Sequence, residues 1–125
     1  NIKDGTLFLF NRDNGKISMI KFTADWCPNC KLVEKTSLYT EKISLAIKKY
    51  NIDFIIADIT QKHPQAERLL SAVGTKSIPL LIVLPAGKKF TSPICLRDLY
   101  SEKDVLKVIK EVAEGNTSKF QINFN

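Results

Sequence analysis

Residues 22–31, Phe22-Thr23-Ala24-Asp25-Trp26-Cys27-Pro28-Asn29-Cys30-Lys31, join the end of an apolar, strand-like run to the start of a helical one. Upstream, Lys16 to Thr23 (KISMIKFT) alternates as a strand does: Ile17 and Met19 share a side that Lys21 is in register to join, with Ile20 and Phe22 nearby. Downstream, Pro28 suits a first helical turn, where a missing N–H costs nothing. A thiol at that junction faces unpaired backbone N–H groups, which stabilise thiolate. The two-residue spacer brings the second sulfur within one turn, so the pair can close a small disulfide ring. Cys27 then reads as the accessible nucleophile and Cys30 as the thiol that resolves a mixed disulfide, with Trp26 as an apolar wall beside the reactive sulfur. Two other readings of the pair exist, a metal knuckle and an inert couple. A structural zinc site wants four ligands, and only Cys95 and His63 remain to supply them, neither in a second knuckle. No metal and no cofactor are therefore expected.

With 125 residues, 44% hydrophobic and 26% charged, the chain has ordinary globular usage and length for one domain. A disordered chain is excluded on those figures. The longest apolar stretch, around Ile78 to Leu84, is far short of the ~20 residues that cross a bilayer. The chain opens on Asn1 without a basic-then-apolar signal, so we read it as a mature protein or a domain cut from a longer one. Lys plus Arg outnumber Asp plus Glu by 19 to 13, a net +6. The lysines are scattered from Lys3 to Lys119 with no Arg-rich run, which reads as a solvated basic surface, and no nucleic acid is expected. Phe8, Phe10, Phe22 and Phe54 read as core, Cys95 as a small apolar packing group and His63 as a helix-start residue.

Along the chain, Thr6 to Phe10 reads as a first strand and Asn11 to Gly15 as a turn. The helix from the cysteines runs to about Lys35, pauses around Ser37 to Thr40 and resumes over Glu41 to Tyr50. Ile52 to Ile59 is nearly continuous in apolar residues, as in a central strand covered on both faces. His63 to Val73 reads as a helix ended by Gly74, Leu80 to Leu84 as a buried strand, and Lys89 to Cys95 as its hairpin partner. Ser101 caps a last helix that Gly115 ends, and residues 116–125 form a tail or a late edge strand. The expected architecture is α/β, a mixed sheet of four or five strands between helices.

A second signal is Ser77-Ile78-Pro79-Leu80, directly before a strand. Such a proline is often only a strand-entry residue. Paired with the upstream C-x-x-C, it suggests a cis-proline loop packed on the disulfide, with the Ile78 backbone open to an extended partner segment.

These residues together resemble the thioredoxin fold. More narrowly, TADWCPNCK and DITQKHPQAERLLSAVGTKSIPLLIVLPAGKK are similar to the C-terminal domain of the DsbD family of transmembrane thiol–disulfide interchange proteins, over roughly residues 16–112. The resemblance implies one thioredoxin-like domain over 1–125, with a core of about 6–113 and a tail of 114–125. It implies a place on the periplasmic side of the bacterial inner membrane, as a domain of a membrane protein. The implied partners are a membrane-embedded electron donor and a periplasmic disulfide-containing acceptor, and the implied oligomeric state is a monomer. Carried over by position, Cys27 attacks, Cys30 resolves and Pro79 is the cis-proline, with Trp26, Pro28, Asn29 and Ile78 around them as the partner-binding collar. Glu34 matches an acidic residue four positions after Cys30, placed to raise the thiol pKa values or shuttle a proton, a solvated helix glutamate being the alternative. A free-standing periplasmic thioredoxin-like reductase, of the kind that serves cytochrome c maturation, fits the same residues, as does, more remotely, a non-catalytic binding module.

The chain departs from that pattern in two places. Lys21 stands where many relatives carry a buried acid, so it is expected to point outward or to pair with Asp58 or Glu34. The turn at residues 11–15 is also too short to hold the helix that relatives have before the active-site strand, and a hairpin is expected to replace it.

Overall fold

The computed structural model describes residues 15–74, 77–86 and 93–114. The expected first strand, the hairpin turn before Gly15, the start of the second hairpin and the tail lie outside these residues. Four strands, β1 (Ser18–Thr23), β2 (Asp53–Asp58), β3 (Leu80–Leu84) and β4 (Ile94–Arg97), form one mixed sheet in the order β2-β1-β3-β4. β1 runs parallel to β2 and antiparallel to β3, and β4 returns antiparallel beside β3.

The alternation of β1 divides the core into two layers. Met19 joins Leu81, Val83, Ile94 and Leu96 under the helix α4 (Glu102–Ala113) and the helix α2 (Glu41–Lys49). Ile20 and Phe22 join Ile55, Ala57, Leu80 and Ile82 under the helix α3 (Pro64–Ala72). The helix carrying the cysteines, α1 (Pro28–Val33), passes into a π-helical turn over Glu34–Leu38 before the chain breaks and restarts as α2.

The helix ends follow their caps. Thr40 and Ser101 accept backbone hydrogen bonds from Ile43 and Asp104. His63 does the same through Nδ1 from Ala66, 3.3 Å away, so it is a helix-start residue as expected. Gly74 follows α3 with a φ of +76°, a left-handed conformation that favours glycine.

Two expectations need correction. β2 is not covered on both faces: Ile55 and Ala57 are buried, but Ile56 is 40% exposed and Phe54 is half-buried. Among the described residues β2 is an edge strand, and the layer on its Met19 side packs against Phe54, which also meets Tyr39 at 6.4 Å between ring centres, but not against Ile56. An apolar run alone cannot distinguish a doubly covered strand from one half left open. The hairpin partner of β3 ends later than expected, β4 running from Ile94 to Arg97 and not stopping at Cys95, and each of its first three residues is buried against β3; residues 89–92 of the expected strand lie outside the described residues. Cys95 is buried within it as an apolar group, and burial pushes its thiol pKa up.

Candidate active site

β1 delivers the site. It ends at Thr23, and Ala24, Cys27 and Cys30 form a small buried cluster against Ile59 and Ile78. Cys27 is the N-cap of α1, and its Sγ accepts a hydrogen bond from the backbone N–H of Cys30 at 3.2 Å. The two cysteines form a disulfide with Cα atoms 5.3 Å apart. Cys27 is 6% exposed and Cys30 0%, so of the two cysteines it is Cys27 that meets solvent. Trp26, Pro28 and Asn29 stand exposed around it, Trp26 at 60%.

The Ile78–Pro79 peptide bond is cis, as the motif suggests, and Ile78 packs on the cysteine cluster. The carbonyl of Pro79 accepts from the Asp98 N–H at 3.1 Å, which fixes the loop to the end of β4. Trp26, Pro28 and Asn29 thus flank the disulfide along the chain, and Ile78, preceding the cis bond to Pro79, meets it from across the fold.

Lys21 does not point outward. It is 3% exposed on the Met19 side of β1, with its Nζ 3.4 Å from Glu34 Oε2, and it donates to Tyr39 Oη. Of its two expected partners, Glu34 is the one it meets. Glu34 is itself buried, which sets aside the solvated-glutamate alternative, and its Oε2 also accepts from Thr23 Oγ1. Tyr39 and Thr23 were not legible as site residues. Tyr39 falls in the pause between helices, where no periodicity applies, and Thr23 looks like any strand-end threonine.

Asp58 serves the turn before the cysteines instead. Its Oδ1 accepts from Thr60 Oγ1 at 2.5 Å and from Thr60 N at 2.8 Å, while Thr60 Oγ1 accepts from the Asp25 N–H at 2.8 Å. This Asx-type turn was a visible signal in Asp58-Ile59-Thr60. The side-chain and backbone bonds from Thr60 hold the Asp58 carboxyl below its ordinary pKa, helped by Lys31 and Lys21 against a smaller opposing effect of burial. A lowered folded pKa means stabilisation that is complete above the unfolded value, about 3.9, and lost as pH falls through the folded one. Asp58→Asn should therefore lower the urea midpoint at pH 7, with the gap to wild type closing as pH falls from about 5 to about 3. A gap unchanged at pH 3 would contradict this.

Among the described residues, no group of three or more His, Cys, Asp or Glu side chains is placed to hold a metal ion. Among them, too, no helix is long and apolar enough to cross a membrane.

A cis-proline loop across from a C-x-x-C disulfide at a strand-to-helix junction is matched by the chain as a whole. The family model for thioredoxin matches residues 9–111. The chain belongs to the thioredoxin family. It is 28% identical over 97 residues to the thiol:disulfide interchange protein DsbD of Campylobacter jejuni, an alignment covering 78% of this chain and 16% of that protein. The chain thus spans under a fifth of the length of that curated relative. Among solved structures, a Thermus thermophilus thioredoxin superposes with a TM-score of 0.67 at 15% identity, over 89% of this chain and 84% of the other. The oxidised C-terminal domain of Neisseria meningitidis DsbD superposes at 0.64 and 19% identity, over 88% and 97%. At those identities the superpositions establish the thioredoxin fold. The chain is a thioredoxin-fold protein similar to the DsbD C-terminal domain, with the C-x-x-C disulfide of a thiol–disulfide oxidoreductase.

Proposed function

We propose that the chain is an electron-relay domain of a DsbD-like reductase, taking electrons from a membrane-embedded donor domain and passing them to a disulfide-containing acceptor on the periplasmic side of the bacterial inner membrane. The observation that carries the redox part is the Cys27–Cys30 disulfide, capped at the first turn of α1 and open to solvent only at Cys27. The similarity to the Campylobacter protein supports the relay part.

In the reduced domain, Cys27 thiolate attacks one sulfur of the acceptor disulfide. A Cys27–acceptor bond forms and the other acceptor sulfur leaves as thiolate. Cys30, having lost its proton, then attacks Cys27 Sγ, which restores the Cys27–Cys30 bond and releases the second acceptor thiolate. Two electrons pass to the acceptor, whose thiolates take up protons. Glu34, one turn past Cys30, is placed to raise the thiol pKa values or to take the Cys30 proton. Trp26, Pro28, Asn29, Ile78 and Pro79 form the docking collar, with the Ile78 backbone pairing to an extended acceptor segment.

The test is equilibration of the Cys27–Cys30 pair against glutathione or dithiothreitol buffers. A two-electron couple near or below about −200 mV supports electron donation. A value near about −120 mV makes the domain an oxidant and overturns the relay, and the absence of any two-electron couple overturns the redox reading itself.

A further inference from the structure

Beneath the active-site helix lies a buried ionic cluster of which the exchange steps above use Glu34 alone. Lys21 from β1 holds an ammonium at 3% exposure, a placement that is costly unless the charge is paired. Glu34 Oε2 meets it at 3.4 Å and accepts from Thr23 Oγ1 as well. Glu34 Oε1 faces Lys31 Nζ of α1 at 3.9 Å, and that lysine is half-exposed and equally far from Asp25. Tyr39, at the end of the π-helical turn, accepts from the Lys21 ammonium. Tyr100, just before α4, has a buried hydroxyl with no hydrogen-bond partner among the described residues, and burial, then the charge of Glu34 and Tyr39, push its pKa up, so it stays neutral. Among the described residues the enclosed charges of this cluster are thus one ammonium and one carboxylate.

We propose that Lys21 is a positioning residue that acts on the redox pair through Glu34: it ties the carboxylate to β1 and cancels its charge, making the floor of the site electroneutral. This deepens the thiol–disulfide reading and rests on it. Glu34 lies four residues after Cys30, on the same helical face about 5–6 Å away at the Cβ atoms. An uncompensated carboxylate there disfavours thiolate and so favours the disulfide, while an uncompensated ammonium favours thiolate and the dithiol. Together they cancel, so the potential is left to the backbone N–H groups at the first turn of α1.

The experiment is the equilibrium constant with reduced and oxidised glutathione for wild type, Lys21→Met, Glu34→Gln, the double variant and Lys21→Arg. Lys21→Met should move the constant toward disulfide and Glu34→Gln toward dithiol, each about fivefold or more. The double variant, free of buried charge, should return to within about twofold of wild type, and Lys21→Arg should stay there. A purely structural role for the pair would change stability without these opposite shifts. If Lys21→Met does not fold, the return of Glu34→Gln on adding it in the double variant carries the test. Single variants within twofold of wild type, or a double variant farther from wild type than Glu34→Gln, overturn the role of Lys21 while a wild-type couple leaves the redox reading intact. No couple in wild type overturns both.

Discussion

Cys27→Ser is expected to abolish disulfide exchange, lowering the rate by at least about three orders of magnitude. Cys27 is the sulfur with any exposure, and Cys30 behind it has none, so no second nucleophile can take its place from solvent. Cys30→Ser should fail differently. Its Cys27 still attacks, but the resolving thiol is gone, and with it an intramolecular step whose effective molarity can reach about 10⁵ M or more when the groups are well placed. That placement is visible in the 5.3 Å between the Cα atoms. With oxidised glutathione, Cys30→Ser should accumulate one glutathionyl adduct per chain, read by intact mass and released by dithiothreitol, whereas Cys27→Ser should stay unmodified on the same timescale. Near wild-type exchange by Cys27→Ser would remove Cys27 from the role assigned to it.

Phe22→Ala should cost about 3–5 kcal/mol of folding stability. Phe22 is 1% exposed on the middle strand, between Ala57 of β2 and Leu80 of β3. It shares one buried cluster with Ala57 and with Ala66 and Leu70 of α3, so truncation removes a large ring from a closed core. For a domain with a total of about 5–15 kcal/mol, that loss is a large share. It should lower the melting temperature by about 10–20 °C and the urea midpoint in proportion, with the slope of the transition preserved. Ile56→Ala, at a strand position 40% exposed, is the internal control and should cost under about 1 kcal/mol. Equal losses in the two variants would contradict the contrast between the buried face of β1 that carries Phe22 and the open face of β2 that carries Ile56.

The contrast between Phe22 and Ile56 also marks what could be read in advance. The strand-to-helix junction, the cysteine pair and the caps at Thr40, His63 and Ser101 depend on neighbours in sequence, and a local pattern carries them. The alternation of β1 already put Lys21 on the side of Met19, but an ammonium's chemistry argued for solvent. Only the partner arriving from α1's extension, together with Tyr39, decides that it turns inward. Ile56 is the converse case, an apolar residue whose neighbours across the sheet, not along the chain, leave it open. The later end of β4 has the same origin, since pairing with β3 is set by which residues meet across the sheet and not by the run along the chain.

The disulfide itself bridges residues only three apart, both within the first turn of one helix. It fastens no strand to any helix and closes no long loop. Making or breaking it changes the chemistry of a single surface point and leaves the topological constraints on the chain almost as they were. Mechanically, the bond is a clasp and not a strut. Under the relay proposed above, such a domain is loaded and unloaded with an electron pair while its topological constraints stay the same for donor and acceptor. That suits a carrier passing between two sites better than a sensor that must report its oxidation state by moving.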